Sequence, residues 1–225
     1  MDATGKTPLM LAAWKGDLEE FNRLLSKGAD PLLCDKAGNN LLHYAARQAN
    51  LAVLMAALKS NPDIDLQNRS DKQTPLFTPS EVGRAANVEA LLAYGANPNL
   101  LDKAKFTALH WAAQNGHTDC IRLLLKYKAQ VNTSSTKKLT PLMSACIEGS
   151  LVNVQMLLAV GAQVNAQAKD GYTPLMFAAY YGCCDIVEYL LTQQADTQIQ
   201  DIKGNTALMI ATQKNQEAVR LLLTA

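Results

Sequence analysis

A four-residue signature recurs seven times in this chain at a period of 33 residues, and it constrains the fold more than any other feature. Every interval is 33 residues except one of 34, between the second and third copies. The copies begin at Thr7, Asn40, Thr74, Thr107, Thr140, Thr173 and Thr206. Since the copies account for essentially all of the 225 residues, we predict a stack of like units. Length alone would have suggested one or two globular domains.

Each unit carries the signals of two successive helices. Thr can cap a helix because its hydroxyl accepts from the free amides of the first turn, and a following Pro, as in Thr7-Pro8, is preset for helix entry. Paired alanines come next in most units and allow close helix approach. A second, leucine-rich helix comes next and is followed in most units by Gly-Ala, as at Gly28-Ala29. Glycine suits the left-handed turn beyond a helix end. Polar, glycine-containing segments such as 35–38 then supply turn chemistry before the next Thr.

This anatomy resembles the ankyrin repeat, most clearly in residues 42–46 and 107–117. The resemblance covers residues 2–225 and implies an all-α repeat solenoid, made of stacked helix-turn-helix units with projecting β-turn or hairpin fingers. It also implies an elongated, slightly curved stack, and no particular ligand. We expect a single repeat domain with units at about 2–31, 32–64, 65–98, 99–131, 132–164, 165–197 and 198–225.

Composition narrows the class of protein. The chain has 21 Lys and Arg against 20 Asp and Glu, so its net charge of +1 argues against a general nucleic-acid binder. No apolar run approaches the ~18 residues that span a bilayer, so no membrane insertion is expected. Five cysteines, two of them adjacent, make a poor disulfide framework and favour free thiols in a reducing compartment. We therefore expect a cytoplasmic protein, with the nucleus as a further possibility.

Side chains for catalysis or metal binding are scarce. Only three histidines occur, and His43 and His110 share a repeat register where a histidine can hydrogen-bond the neighbouring finger. A zinc site needs about four converging ligands, and neither His117 nor the pair Cys183-Cys184 has them nearby in sequence. No recurring acidic pair or nucleophile–base arrangement is present. We predict no catalytic activity, no metal, no cofactor and no small-molecule substrate.

Two units depart from the pattern. In unit one, Glu20 and Arg23 replace apolar residues of the second helix, which predicts a polar N-terminal cap because the end of a solenoid has no neighbour to cover it. In unit three, Pro79 falls inside the first helix, where it would remove one backbone bond and clash with the preceding turn. Unit three is therefore either a kinked, less stable repeat or a hinge or docking notch.

The repeat register predicts where a partner would bind. Helical repeat stacks use their extended concave surface, and at the position directly before the signature units four to six have large apolar residues where the other units are polar. The predicted patch consists of Phe106, Trp111, Leu139, Ile147, Tyr172, Phe177, Tyr180 and Tyr181. Exposed apolar patches mark interaction sites, and Trp and Tyr are enriched among binding hot spots. The alternative for Trp111, Phe177 and the finger residues is half-buried packing.

Lysines at the finger tips complete the predicted site. The expected basic rim of units four to six consists of Lys103, Lys105, Lys137, Lys138 and Lys169. Two of these, Lys105 and Lys138, take the register where other units have glycine. The rim would suit a peptide with acidic and apolar residues; the alternative is an ordinary solvated edge.

From these observations we predict a monomeric, non-catalytic scaffold that binds a peptide or protein surface on the concave face of repeats four to six. One alternative is a targeting or regulatory domain excised from a larger enzyme or channel. Another is weak nucleic-acid binding through the lysine-rich tips.

Overall fold

The computed structural model describes residues 1–224, and within that range the chain forms fourteen α-helices and no β-strand. They form seven pairs joined by short turns. The first helices are Pro8–Lys15 (α1), Leu41–Ala45 (α3), Phe77–Glu81 (α5), Ala108–Gln114 (α7), Pro141–Glu148 (α9), Pro174–Tyr181 (α11) and Ala207–Gln213 (α13). The second helices are Leu18–Ser26 (α2), Leu51–Lys59 (α4), Ala85–Ala93 (α6), Thr118–Lys126 (α8), Leu151–Ala159 (α10), Cys184–Thr192 (α12) and Glu217–Leu222 (α14). The predicted all-α repeat architecture is thereby confirmed.

The helices form two layers. Odd-numbered helices pack on odd-numbered neighbours, and even-numbered helices pack on even-numbered ones. We call the odd-numbered helices inner, because the segments between pairs, the fingers, lead into them. The alanine pairs that begin at Ala12, Ala45, Ala112 and Ala178 are buried in the single continuous core. Small side chains at these positions let neighbouring inner helices approach, as the sequence predicts.

Cap interactions fix where the inner helices begin. The hydroxyls of Thr7, Thr140 and Thr173 accept from the backbone amides of the methionines three residues later, at 3.2–3.3 Å. The sulfur of each of those methionines in turn accepts from the threonine amide. In units two and four a histidine takes the methionine's place, and its Nδ1 accepts from the cap amide.

A backbone ladder joins each finger to the next along the whole stack. An amide near each tip donates to a carbonyl of the preceding finger, at 2.7–3.1 Å. The six donors are Lys36, Arg69, Lys103, Thr136, Lys169 and Ile202. The fingers therefore stand in fixed register beside the inner helices.

Gly171 shows how closely two fingers approach. Its φ is 84°, and a Cβ at this position would lie 2.8 Å from Asp201 Cα and 2.9 Å from the Ile202 amide nitrogen. Gly204 has nearly the same φ, 81°, but the nearest atom to its Cβ would be 3.9 Å away.

We expect Gly171→Ala to destabilise the protein more than Gly204→Ala does. Both variants strain a left-handed backbone by about 1–2 kcal/mol, but only Gly171→Ala also forces two backbones apart, which adds about 1–3 kcal/mol. Urea unfolding of the two variants measures the difference. Equal destabilisation would contradict the close approach of these fingers.

Unit three begins its inner helix late, and this removes the predicted clash at Pro79. Helix α5 starts at Phe77, so Pro79 is its third residue, where a missing amide costs no helical bond. The helix is only five residues long and has no side-chain cap. Within the described residues, the hydroxyl of Thr74, the expected cap, is buried without a hydrogen-bond partner. Contact between α3 and α5 is slight compared with that between other neighbouring inner helices.

We therefore expect the amides of α5 to exchange with solvent earlier than those of α7, α9 and α11, by at least about tenfold, because local opening there breaks fewer contacts. Hydrogen exchange under native conditions measures this. Uniform protection across the inner helices would contradict it.

The predicted polar cap of unit one is present on α2. Arg23 donates from Nε and Nη2 to the two carboxylate oxygens of Glu20, at 2.5 and 2.6 Å, on an exposed surface. Phe21 is the one fully covered residue of this helix. In residues 1–224 no helix has the length and apolar character needed to cross a membrane.

Candidate functional site

The surface where the fingers meet the inner helices, here called the inner wall, carries the predicted partner-binding residues. Of the eight aromatic and aliphatic residues predicted there, only Tyr181 is exposed, at 50% of its surface. The other seven are half-buried. The five predicted lysines are all exposed, and none joins the ion pairs found within residues 1–224.

In unit four the aromatic residues pack on each other. The rings of Phe106 and Trp111 meet edge to face, with centroids 5.6 Å apart. The indole Nε1 of Trp111 donates to Asp102 Oδ2 at 3.1 Å, and the amides of Ala104 and Phe106 donate to Oδ1 of the same carboxylate. Trp111 is thus partly a packing residue, and its indole N–H is already bonded to Asp102.

Units six and seven form the most developed aromatic site. Tyr172 and Phe177 pack with centroids 5.2 Å apart, and Tyr180 and Tyr181 with centroids 5.0 Å apart. All four line an open cavity of about 460 Å³ at the inner wall. Leu139 and Ile147 of unit five lie between this group and the unit-four pair in the repeat order. The structure therefore arranges the predicted aromatics as two groups.

The far side of this cavity comes from unit seven, and no residue of unit seven belongs to the binding site predicted from the sequence. Its lining residues there are Asp201, Ile202, Lys203, Asn205, Gln213 and Lys214. Lys214 Nζ lies 4.2 Å from the centroid of the Tyr180 ring, a cation–π contact. Nothing in the repeat spacing singled out Lys214.

Hydrogen bonds in the cavity favour the ionised form of Asp201, one of the two carboxylates that line it. Burial alone would raise the pKa of Asp201, but hydrogen bonds from the Asn205 side chain and from the Asn205 and Lys203 amides outweigh it and lower the pKa. Burial, together with the Asp201 charge, raises the pKa of Tyr172. The cavity wall thus combines aromatic faces, a tyrosine hydroxyl, two lysines and a fixed carboxylate, which suits peptide side chains.

A second, more polar cavity of about 310 Å³ lies on the inner wall of units one to three. Lys6 Nζ sits 5.8 Å from the centroid of Trp14 and 5.6 Å from that of Tyr44. The Tyr44 hydroxyl donates to Asp35. None of these four side chains belongs to the binding site predicted from the sequence.

The histidines have structural roles. Nε2 of His43 and of His110 lies 3.0 Å from the carbonyl oxygens of Gln73 and Leu139, in the neighbouring fingers, as the register predicts. Burial lowers the pKa of His110 to about 4 and also lowers that of His43. In the described part of the chain, no three His, Cys, Asp or Glu residues lie close enough to hold a metal.

The cysteines are free thiols in this structure. Cys120 and Cys146 are buried, and burial raises the pKa of Cys120 to about 11. Cys183 and Cys184 are half-buried, because Cys184 begins α12 and both pack against the core.

Comparison with known proteins finds a matching family model and a solved structure with a similar fold. A family model described as ankyrin repeats, three copies, matches residues 9–102, 80–168 and 154–225. The crystal structure of the human ASB11 ankyrin repeat domain superposes with a TM-score of 0.87, at 28% identity, over 97% of this chain and 98% of that one.

Curated relatives are much longer than this chain. Ankyrin repeat protein nuc-2 of Neurospora crassa is 33% identical over 52% of this chain, and palmitoyltransferase AKR1 of Lachancea kluyveri is 35% identical over 49%. The human transient receptor potential cation channel subfamily A member 1 is 30% identical over 52%. The chain spans 11%, 15% and 11% of their respective lengths.

Proposed function

Because this chain belongs to the ankyrin repeat family, whose fold is generally a non-catalytic interaction module, we propose that it is a protein-binding scaffold. Its partner is a peptide or a protein surface held on the concave inner wall of repeats four to six. The observation that carries this proposal is the cavity lined by Tyr172, Phe177, Tyr180 and Tyr181. The proposed site extends onto repeat seven, which completes the cavity.

The chemistry of the wall supports a protein ligand. Tyrosine supplies rigid contact area with only two side-chain torsions to order, so little conformational entropy is lost on binding. The exposed lysines at the tips are free to steer an acidic partner, because they are not engaged in the ion pairs of residues 1–224. Backbone bonds between fingers hold the wall in register before binding, and preorganisation increases affinity.

Site-specific photocrosslinking tests the proposal. A p-benzoylphenylalanine at position 181 should capture the partner in cell extract, because Tyr181 is half exposed at the mouth of the cavity. The matched control is position 94, where Tyr94 is 47% exposed at the end of the second-layer helix α6. Capture from position 94 with none from position 181 would refute the proposed face.

A second candidate function is the same binding module serving as the targeting or regulatory part of a longer protein. The small share of each curated relative that the chain covers favours it. The full reading frame of the transcript decides: a frame that adds no further domain on either side of residues 1–225 would remove this candidate.

A further inference from the structure

The tip of every finger contains one residue in the left-handed region of φ, two positions before the residue that starts each signature. In units one, two, six and seven this residue is glycine, with φ of 80–84°. In units three, four and five it is lysine: Lys72 at 59°, Lys105 at 61° and Lys138 at 56°. A lysine strains the backbone here and glycine does not.

Three consecutive strained lysines flanked by glycines call for a reason other than folding. Strained backbone persists where the surrounding structure supports it, and it concentrates at functional sites. Left-handed residues at other registers of this chain are mixed: Asn61, Lys128, Gln194 and Asn215. At the finger tip, every residue that is not glycine is lysine.

The backbone ladder holds these three lysines in a row. Lys103 N donates to Asp71 O at 2.7 Å, and Thr136 N donates to Ala104 O at 2.9 Å, so the three tips cannot shift independently. Neighbouring units stack at about 10 Å, the usual distance between packed helices. The backbones of the three tips therefore place the lysine side chains in a row at the repeat spacing.

The row lies in the most basic part of the fingers. Segments 68–72, 102–105 and 135–138 contain six cations against Asp71 and Asp102, although the whole chain is nearly neutral. Asp102 is buried, and its oxygens are already taken by two backbone amides and the Trp111 indole. The accessible charge of the three tips is thus strongly positive.

We propose that the finger tips of repeats three to five bind an extended acidic segment of a protein partner, with an Asp or Glu at every third position. A peptide in the extended polyproline II conformation has three residues per turn and rises about 3.1 Å per residue, so every third side chain lies on one face at a spacing close to the stacking distance of about 10 Å. The proposal extends the proposed function to a second surface, and it rests on that function only in taking the ligand to be a protein.

The observations favour a protein over a nucleic acid. An acidic peptide can place its carboxylates opposite the lysines and leave a neutral residue opposite Asp71, whereas a nucleic acid brings a phosphate at every nucleotide. Single-stranded nucleic acids also bind through stacking on aromatic side chains. The three tip segments contain no aromatic residue.

The test is an NMR titration of the 15N-labelled protein at low ionic strength with a nine-residue peptide that has glutamate at every third position between glycine and serine. The variant Lys72→Gly/Lys105→Gly/Lys138→Gly should raise the Kd about tenfold, the effect of three exposed ion pairs. The fold should persist in this variant, because glycine relieves the strain at each tip. A peptide of the same composition with its three glutamates adjacent should bind less tightly.

Lys128→Gly is the matched control for Lys105→Gly. Both lysines have positive φ, 65° and 61°, and each variant removes one charge, but Lys128 lies beyond the second-layer helix α8. Of these two single variants, only Lys105→Gly should bind the peptide less tightly than the original protein does. Unchanged affinity in the triple variant, equal loss in the two single variants, or equal affinity for both peptides would overturn the proposal.

Two further arms separate the alternatives. One arm replaces the peptide with a single-stranded oligonucleotide. If the oligonucleotide binds the original protein more tightly than the peptide does, and the triple variant loses this binding, the proposal is overturned in favour of a nucleic-acid ligand. Tyr180→Ala, which tests the proposed function, should leave the peptide titration unchanged. The lysine row and the aromatic wall can therefore fail separately.

Discussion

Lowering the pH from 7 to about 4.5 will reduce the free energy of unfolding by about 3 kcal/mol, mostly through His110. His110 is fully buried, and burial lowers its pKa from 6.5 to about 4. Between these two pH values the unfolded chain binds a proton that the folded chain excludes. The contribution is thus fully present above pH 6.5 and is lost progressively as the pH falls towards 4. His43, whose pKa burial also lowers, adds to the same trend.

The chain provides its own control for this prediction. Units one, five and six have methionine at the register of His110, and the methionine sulfur accepts from the cap amide as the histidine does. His110→Met should cost only about 1 kcal/mol at pH 7, because the Leu139 carbonyl keeps its bond from the Ser135 amide.

Urea unfolding at several pH values, with the protein and the variant measured side by side, checks the prediction. The variant should be much less sensitive to pH over this range. Equal loss of stability on acidification in both proteins would contradict the role of His110.

Truncating the aromatic wall will weaken partner binding by about 2 kcal/mol for each of Trp111→Ala and Tyr180→Ala, roughly 30-fold in Kd. Tyr180 lines the cavity with its ring against Lys214, and Trp111 packs on Phe106 in unit four. Both are half-buried residues that a partner would cover fully. Removing either ring takes away contact area at the centre of the proposed interface.

Isothermal titration calorimetry with the partner that photocrosslinking identifies, in purified form, measures these losses of affinity. Tyr180→Phe keeps the ring and should bind nearly as tightly as the original protein. Trp111→Phe keeps an aromatic edge but loses the hydrogen bond to Asp102, so it separates the effect on binding from an effect on folding. Full affinity in both alanine variants, with folding intact, would exclude this wall as the binding site.

The fold was predictable from the sequence because each repeat carries its own boundary signals. Threonine before proline marks helix starts at residues 7, 140 and 173, and the structure places the caps there. Unit three is the exception. It has the same Thr-Pro signal at Thr74-Pro75, but Pro79 cannot lie in the interior of a helix that starts at Pro75, so α5 begins at Phe77 instead.

The site was predictable in part. Four of the predicted aromatic residues line one cavity, since side chains at equal positions of stacked units line up, and binding at this wall stays a prediction. It did not show that Asp102 would bind the Trp111 indole, nor that unit seven would close the cavity with Lys214, because both depend on side-chain reach. The repeat register shows Lys72, Lys105 and Lys138 at a glycine position, but the left-handed φ of each of these lysines comes from the structure.

The most direct test of the central claim is a comparative pull-down from cell extract. The bait proteins are the original chain, the variant Trp111→Ala/Tyr172→Ala/Tyr180→Ala and a control, Tyr94→Ala, which alters an exposed tyrosine away from the wall. We expect the same retained proteins with the original chain and the control, and their loss from the folded triple variant. Retention of the same proteins by the triple variant would contradict binding through the aromatic inner wall.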